Sequence, residues 1–158
     1  MYNREKAIEY AYTWWNKRNP KFYNFDELGG DCTNFVSQCL YYGGINMNYT
    51  HLGWFYKSLN YRSPSWTGVD EFYSFSMNNN YGLGVKCAVS NLKDIKMGDI
   101  VQLQLNNENE FQHTALITKI INEDNKKNVF ITCHSYDAKD KSISSYNYKN
   151  IRFLKILN

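Results

Sequence analysis

Residues 29–44 constrain the fold most strongly, because two glycine pairs bound a single short amphipathic segment. The first pair permits backbone conformations that other residues avoid, and the second supplies a left-handed helix stop. Between them, apolar side chains recur at helical spacing, at Phe35, Val36, Cys39 and Leu40. The segment predicts a helix that starts at Cys32, is capped by Asp31, and packs its apolar face on the rest of the domain.

Cys32 falls in the first turn of this predicted helix, where the macrodipole and the unpaired amides stabilise an anion. A helix N-terminus lowers the pKa of a thiol, so position and residue type together favour a thiolate nucleophile. The alternative is a small buried cysteine at a helix start, which is a common structural use. Cys39 lies on the apolar face and is expected to be buried and inert.

Composition narrows the class of protein. The chain has 158 residues, 43% of them hydrophobic, which suits a single domain over residues 1–158 and, we expect, a monomer. The net charge is +3 with no Lys/Arg cluster of five, so nucleic acid is a poor partner. The sequence contains no apolar run of about 18 residues, so no membrane span is predicted. The charged N-terminus has no apolar core of a signal peptide, so the chain is either cytoplasmic or cut from a longer secreted protein.

The first half of the chain predicts helices and an aromatic-rich loop region. Residues 3–18 carry a helical apolar stripe capped by Asn3. Tyr23, in the following loop, is a candidate to reach over the thiol and bind substrate. Residues 45–84 are irregular, with a short helix at 69–77, and their Trp54 and Trp66 could line a cleft or form a satellite core.

From residue 92 apolar residues recur at every second position instead of at helical spacing, which predicts strands. The predicted strands span residues 100–105, 112–120, 129–134 and 151–157, whereas residues 135–150 show no regular pattern. Helices followed by an antiparallel meander indicate an α+β domain with N-terminal helices packed on the sheet.

Three residues in this order suggest nucleophilic catalysis. Cys32 is the nucleophile, His113 at the head of a strand is the base and later the acid, and His134 on the next strand orients His113. Antiparallel neighbours bring two imidazoles together if they share a face. Asp137, just past that strand, is the alternative orienter.

Two other interpretations compete with a catalytic site. His113 could be an ordinary hydrogen-bonded histidine of the sheet. A zinc site could be built from Cys32, His113, Cys133 and His134, but structural zinc usually draws ligands from short paired spacings, which are missing here. Neighbours in a strand also point to opposite faces, so Cys133 and His134 do not easily join one site. We therefore expect no metal and no cofactor.

The chain resembles the putative amidase domain family, which belongs to the papain-like group that includes the NlpC/P60 and CHAP cell-wall hydrolases. The specific block is Asp-Cys-Thr-Asn-Phe-Val-Ser-Gln at residues 31–38. Other matching segments follow in the expected order, at residues 2–4, 19–20, 65–67, 98–102, 113–118 and at His134. The resemblance covers nearly the whole chain.

This resemblance implies a circularly rearranged papain-like fold and amide hydrolysis through a thioester. In NlpC/P60 relatives the third catalytic residue sits at the position matched by His134, and the residue matched by Asp31 can hold a substrate amine. Papain has a glutamine shortly before its nucleophile, whereas Asp26 stands here. The implied oxyanion donors are the Cys32 amide and one unassigned group.

The leading hypothesis is a cysteine amidase or peptidase that acts on a peptide or peptidoglycan substrate. A non-catalytic module that binds glycan or peptide through the aromatic segment 54–75 is a second hypothesis. An acyltransferase with the same triad, passing the acyl group to an amine, is a third.

Overall fold

An antiparallel sheet built from the second half of the chain supports helices built from the first half, as the change of period predicts. The computed structural model describes residues 1–158. The helices are α1 (Arg4–Trp14), α2 (Cys32–Tyr42), α3 (Pro64–Thr67) and α4 (Val69–Asn78). A small ribbon of β1 (Tyr56–Ser58) and β2 (Tyr61–Arg62) lies between α2 and α3.

The main sheet has six strands in the order β3-β8-β4-β5-β6-β7, and every pair is antiparallel. Its strands are β3 (Cys87–Ser90), β4 (Ile100–Leu105), β5 (His113–Glu123), β6 (Lys126–Cys133), β7 (Ala138–Ser142) and β8 (Tyr148–Ile156). The α+β prediction is confirmed. β3 and β7 were not predicted. In β7 the reason is its sequence, Ala-Lys-Asp-Lys-Ser, a polar edge strand without apolar alternation.

The α2 helix ends as the glycine pair predicts, with one refinement. Gly43 keeps right-handed geometry at the C-cap, and Gly44 takes the left-handed position with φ of 97°. The Ile45 amide donates to the Leu40 carbonyl at 3.1 Å, and the Gly44 amide donates to the Tyr41 carbonyl at 2.9 Å. These two bonds form a Schellman motif that fixes the C-terminus of α2.

The α1 helix is shorter than predicted. Asn3 caps it as expected, since its side chain accepts a hydrogen bond from the Lys6 amide at 2.9 Å. The helix ends at Trp14 instead of residue 18. The Trp14 carbonyl lies past the last full turn and accepts hydrogen bonds from the Lys17 amide at 3.2 Å and from His134 Nε2 at 2.7 Å.

The α2 helix is buried on all sides over residues 32–40. Phe35, Val36, Cys39 and Leu40 belong to the core between helices and sheet, as predicted. The opposite face is covered by the aromatic segment, and a second core lies on the far face of the sheet. None of the helices combines the length and apolar character needed to cross a bilayer.

Trp54 and Trp66 are core residues, and the prediction that they line a cleft is wrong. Both are 0% exposed. The Trp54 indole donates to Ser37 Oγ at 3.0 Å, and the Trp66 indole donates to Asn34 Oδ1 at 2.9 Å. The polar positions of α2 therefore hold the aromatic segment against the helix, so both tryptophans contribute to stability through burial and hydrogen bonding.

Candidate active site

A cleft of about 660 Å³ opens at the N-terminus of α2, a size typical of small-ligand sites. Its walls come from the loop before α2, the start of β5, the turn between β6 and β7, and the segment after β7. The side chains that matter for its chemistry are those of Cys32, His113, Ser135, Tyr136, Lys141 and Tyr146. The fold thus brings two of the three predicted catalytic residues, Cys32 and His113, into one cleft.

Cys32 lies at the first position of α2, as predicted, but it is 5% exposed. Burial raises the pKa of the Cys32 thiol, against smaller lowering effects from the Thr114 backbone and from Thr33. The sequence predicted a lowered pKa, and this was wrong because desolvation outweighs the helix terminus. The Cys32 Sγ lies 3.6 Å from the Gln112 carbonyl oxygen, to which the thiol can donate, and the raised pKa favours this protonated form.

His113 begins β5 and is 6% exposed. Burial, with a contribution from the Lys141 ammonium, lowers the pKa of His113 to about 4, so its imidazole is neutral near pH 7. Its Nε2 is buried and has no hydrogen-bond partner. Buried polar atoms are normally paired, so an imidazole left free on one nitrogen is available for chemistry in the cleft.

His134 does not orient His113, contrary to the prediction. Its Nδ1 is 2.5 Å from Asp31 Oδ2, and its Nε2 donates to the Trp14 carbonyl. The ring also stacks on Phe35 with centroids 3.9 Å apart. Both nitrogens are therefore committed to partners other than His113.

The reason for this correction is the face of the sheet on which each histidine lies. The register sets Leu116 opposite Thr132, so His134 comes level with Thr114. Thr114 faces α2, where it bonds to Thr33 at 3.0 Å. Neighbouring residues of a strand point to opposite faces, and the His113 ring accordingly stacks beside Tyr146 on the far face.

The same alternation separates the residues of the alternative zinc site. Cys133 lies beside the Tyr146 hydroxyl, 3.6 Å away, on the far face of the sheet. His134 lies on the helix face with both ring nitrogens engaged. The structure does not gather these side chains into one ligand set.

Asp31 directly precedes the nucleophile, and its side chain does not line the cleft. It is 1% exposed, and its Oδ1 accepts hydrogen bonds from the Phe25 amide at 2.9 Å and from Asn34 at 2.8 Å. It makes no side-chain cap to α2. Asp31 occupies the N-cap position as predicted, but the predictions that its carboxylate caps α2 and binds a substrate amine are wrong, because the neighbouring loop and His134 use both oxygens.

Arg18 joins the two loops that flank the cleft. Its guanidinium binds Asp26 at 2.9 and 3.0 Å and binds Asp137 through two contacts of 2.9 Å. Asp137, the alternative orienter of His113, is thus held by Arg18. Bidentate guanidinium–carboxylate pairs fix geometry as well as charge, so Arg18 fixes the two loops relative to each other.

The turn after β6 carries strain. Ser135 and Tyr136 both have positive φ, 58° and 68°, although neither is glycine. Ser135 Oγ accepts a hydrogen bond from the Asp31 amide at 2.9 Å, next to the nucleophile, and Tyr136 projects into the cleft with 87% exposure. Conformations of this kind cost on the order of 1–3 kcal/mol and concentrate at functional sites. No pattern in the sequence predicted this turn.

Glycine is required where Gly30 meets this turn. Gly29 and Gly30 have φ of 86° and 96°, as the sequence predicted from the glycine pair. A Cβ at Gly30 would lie 3.1 Å from Ser135 Oγ.

Tyr23, predicted to bind substrate, lies outside the cleft: the residue is 43% exposed, and its ring packs edge-on against Phe25.

Comparison with known proteins assigns the chain to a family. Residues 1–157 match the family described as "Putative amidase domain", so the chain belongs to that family, whose description indicates amide hydrolysis. It is also 30% identical over 142 residues to "Uncharacterized protein YhbB" of Bacillus subtilis (strain 168). That match covers 88% of this chain and 43% of the relative, so the chain spans less than half of that protein's length. No solved structure matches.

Proposed function

We propose that this protein is a cysteine-dependent amidase or peptidase of papain-like type, related to the NlpC/P60 and CHAP hydrolases, that cleaves an amide bond in bacterial cell-wall peptides. The observation that carries the proposal is the cleft shared by Cys32, at the start of α2, and His113, whose Nε2 is buried and unpartnered. Membership of the amidase family supports amide hydrolysis.

Catalysis starts from a neutral pair, because burial raises the pKa of Cys32 and lowers that of His113. Proton transfer therefore accompanies attack instead of preceding it. Cys32 Sγ bonds to the carbonyl carbon while His113 accepts the thiol proton. The tetrahedral intermediate then expels the amine, which takes the proton from His113, and leaves a thioester on Cys32.

Hydrolysis of the thioester reverses the roles. His113 takes a proton from water as the oxygen attacks the acyl carbon, and it returns the proton to Cys32 Sγ when the carbon–sulfur bond breaks. The products are a carboxylic acid and the restored thiol. A nearby amine in place of water would give transfer to that amine, so the acceptor decides between hydrolase and acyltransferase.

Two donors can stabilise the oxyanion in this mechanism. The Cys32 amide, at the first position of α2, has no acceptor within the helix. The Ser135 hydroxyl lines the cleft, accepts from the Asp31 amide, and donates to no other group. Ser135 thus supplies the donor that the sequence left unassigned, and losing one such donor typically costs about 10²–10³ in kcat.

The test is product analysis after incubation with purified peptidoglycan. Wild-type protein should release a new amine and a new carboxylic acid end, and Cys32→Ala should release none while keeping its circular dichroism spectrum. Cys39→Ala is the matched control, since it removes a buried thiol seven residues away and should retain turnover. Unchanged muropeptides together with unchanged binding by Cys32→Ala would indicate a non-catalytic recognition module and would sink the hydrolase.

A further inference from the structure

We propose that Lys141 forms a carboxylate-binding subsite in the catalytic cleft, so that the preferred substrate carries a free carboxylate close to the scissile amide. This inference rests on the proposed function. It names a substrate class for that site, an anionic peptide, and a residue that selects it.

The ionisable side chains that line the cleft differ in whether an oppositely charged group lies next to them. Asp26 is paired with Arg18, which also binds Asp137. His113 is neutral near pH 7, because its pKa is lowered to about 4. Lys141 has no carboxylate within 4.0 Å, although it lines the same cleft. Among the charged side chains that line the cleft, Lys141 alone has no ion-pair partner, and its charge is positive.

An aromatic ring lies beside this charge. Lys141 Nζ lies 4.2 Å from the centroid of the Tyr146 ring, a cation–π contact. The Tyr146 ring lies in turn 6.0 Å from the His113 ring, and the two planes are within 29° of parallel. Tyr146 thus lies next to both the Lys141 ammonium and the His113 imidazole, and its contact with Lys141 leaves the ammonium donors free for a ligand.

A carboxylate at Lys141 would also act on the base. The Lys141 ammonium is one of the causes that lower the pKa of His113. An anion bound there cancels part of that effect, so His113 accepts the Cys32 proton more readily when an anionic substrate is bound. An uncharged substrate of the same shape lacks both the contact and this assistance.

The experiment measures binding to Cys32→Ala protein, which holds the cleft without turnover. The two probes are a synthetic cell-wall stem peptide with free carboxylates and the same peptide with every carboxylate converted to a carboxamide. The carboxylate form should bind about tenfold more tightly, as expected for one charge-assisted contact. Lys141→Met should abolish the difference, and Lys141→Arg should keep most of it.

Lys119→Met is the matched control, because Lys119 also lies over an aromatic ring, that of Phe130, but outside the cleft. It should leave the preference unchanged. Equal binding of the two peptides, no binding of either, or a preference that survives Lys141→Met would each overturn the inference. Turnover is measured separately on protein with Cys32 intact, so failure of hydrolysis is distinguished from failure of the subsite.

Discussion

Replacing His134 by leucine should destabilise the protein far more than replacing its partner Asp31 by asparagine. The two side chains are each 1% exposed and 2.5 Å apart. In His134→Leu the Asp31 carboxylate stays buried with Arg18 Nε, at 3.6 Å, as its nearest remaining cation. Breaking a buried pair from one side costs about 3–5 kcal/mol.

Asp31→Asn is milder because the amide can preserve the hydrogen bonds. Its oxygen can still accept from Phe25 and Asn34, and its NH₂ can donate to Nδ1 of a neutral His134 that keeps its bond to Trp14. We expect a loss of about 1 kcal/mol, because neutral hydrogen bonds replace charge-assisted ones. A larger loss of stability in His134→Leu than in Asp31→Asn would therefore indicate that the hydrogen bonds around residue 31 survive the change to an amide.

Thermal unfolding followed by tryptophan fluorescence measures both losses. For a chain of this size His134→Leu should lower Tm by about 6–20 °C, and Asp31→Asn by about 2–4 °C. His51→Leu is the control, since His51 is exposed and should change stability by less than about 0.5 kcal/mol. A His134→Leu protein as stable as the wild type, or equal losses in the two variants, would refute the reasoning.

Three further predictions concern the cleft and the core. The folded-state pKa of His113, about 4, lies below its ordinary value of 6.5, so up to about 3 kcal/mol of stability is present above pH 6.5 and is lost as pH falls to 4. In His113→Gln this acid-induced loss of stability should shrink. An unchanged dependence of the unfolding free energy on pH would contradict this prediction. Tyr136→Gly should relieve the positive φ of 68° and raise the free energy of unfolding by about 0.5–1 kcal/mol, whereas a loss of stability in urea would show that the turn is unstrained. Burial raises the pKa of Cys39 well above its ordinary value, so Cys39 should resist iodoacetamide in native protein and react after denaturation, as peptide mapping can check.

Local patterns were enough to predict the elements that carry the site. The glycine pairs and apolar spacing located α2 and placed Cys32 at its first residue, and period-two alternation located β4 at residues 100–105. Asn3 was recognised as a cap from its type and position alone. These features depend on neighbours within a few residues, which the sequence displays directly.

The contacts of the site depended on register and burial, which the sequence does not display. His134 was expected to reach His113, but strand alternation puts the two rings on opposite faces. The helix terminus was expected to lower the pKa of Cys32, but burial of the thiol itself outweighs it. Lys141 and Ser135 were missed because a polar edge strand and a turn of two non-glycine residues give no periodic signal.

The central claim, that Cys32 is the nucleophile of an amide hydrolase, is tested most directly by trapping the acyl-enzyme. Protein mixed with peptidoglycan fragments is quenched in acid within milliseconds to seconds, digested, and mapped by mass spectrometry. We predict an acyl adduct on Cys32 that hydroxylamine removes, with no adduct on Cys39 and none in Cys32→Ala. Product release by Cys32→Ala at the wild-type rate, or an adduct confined to another residue, would contradict the account.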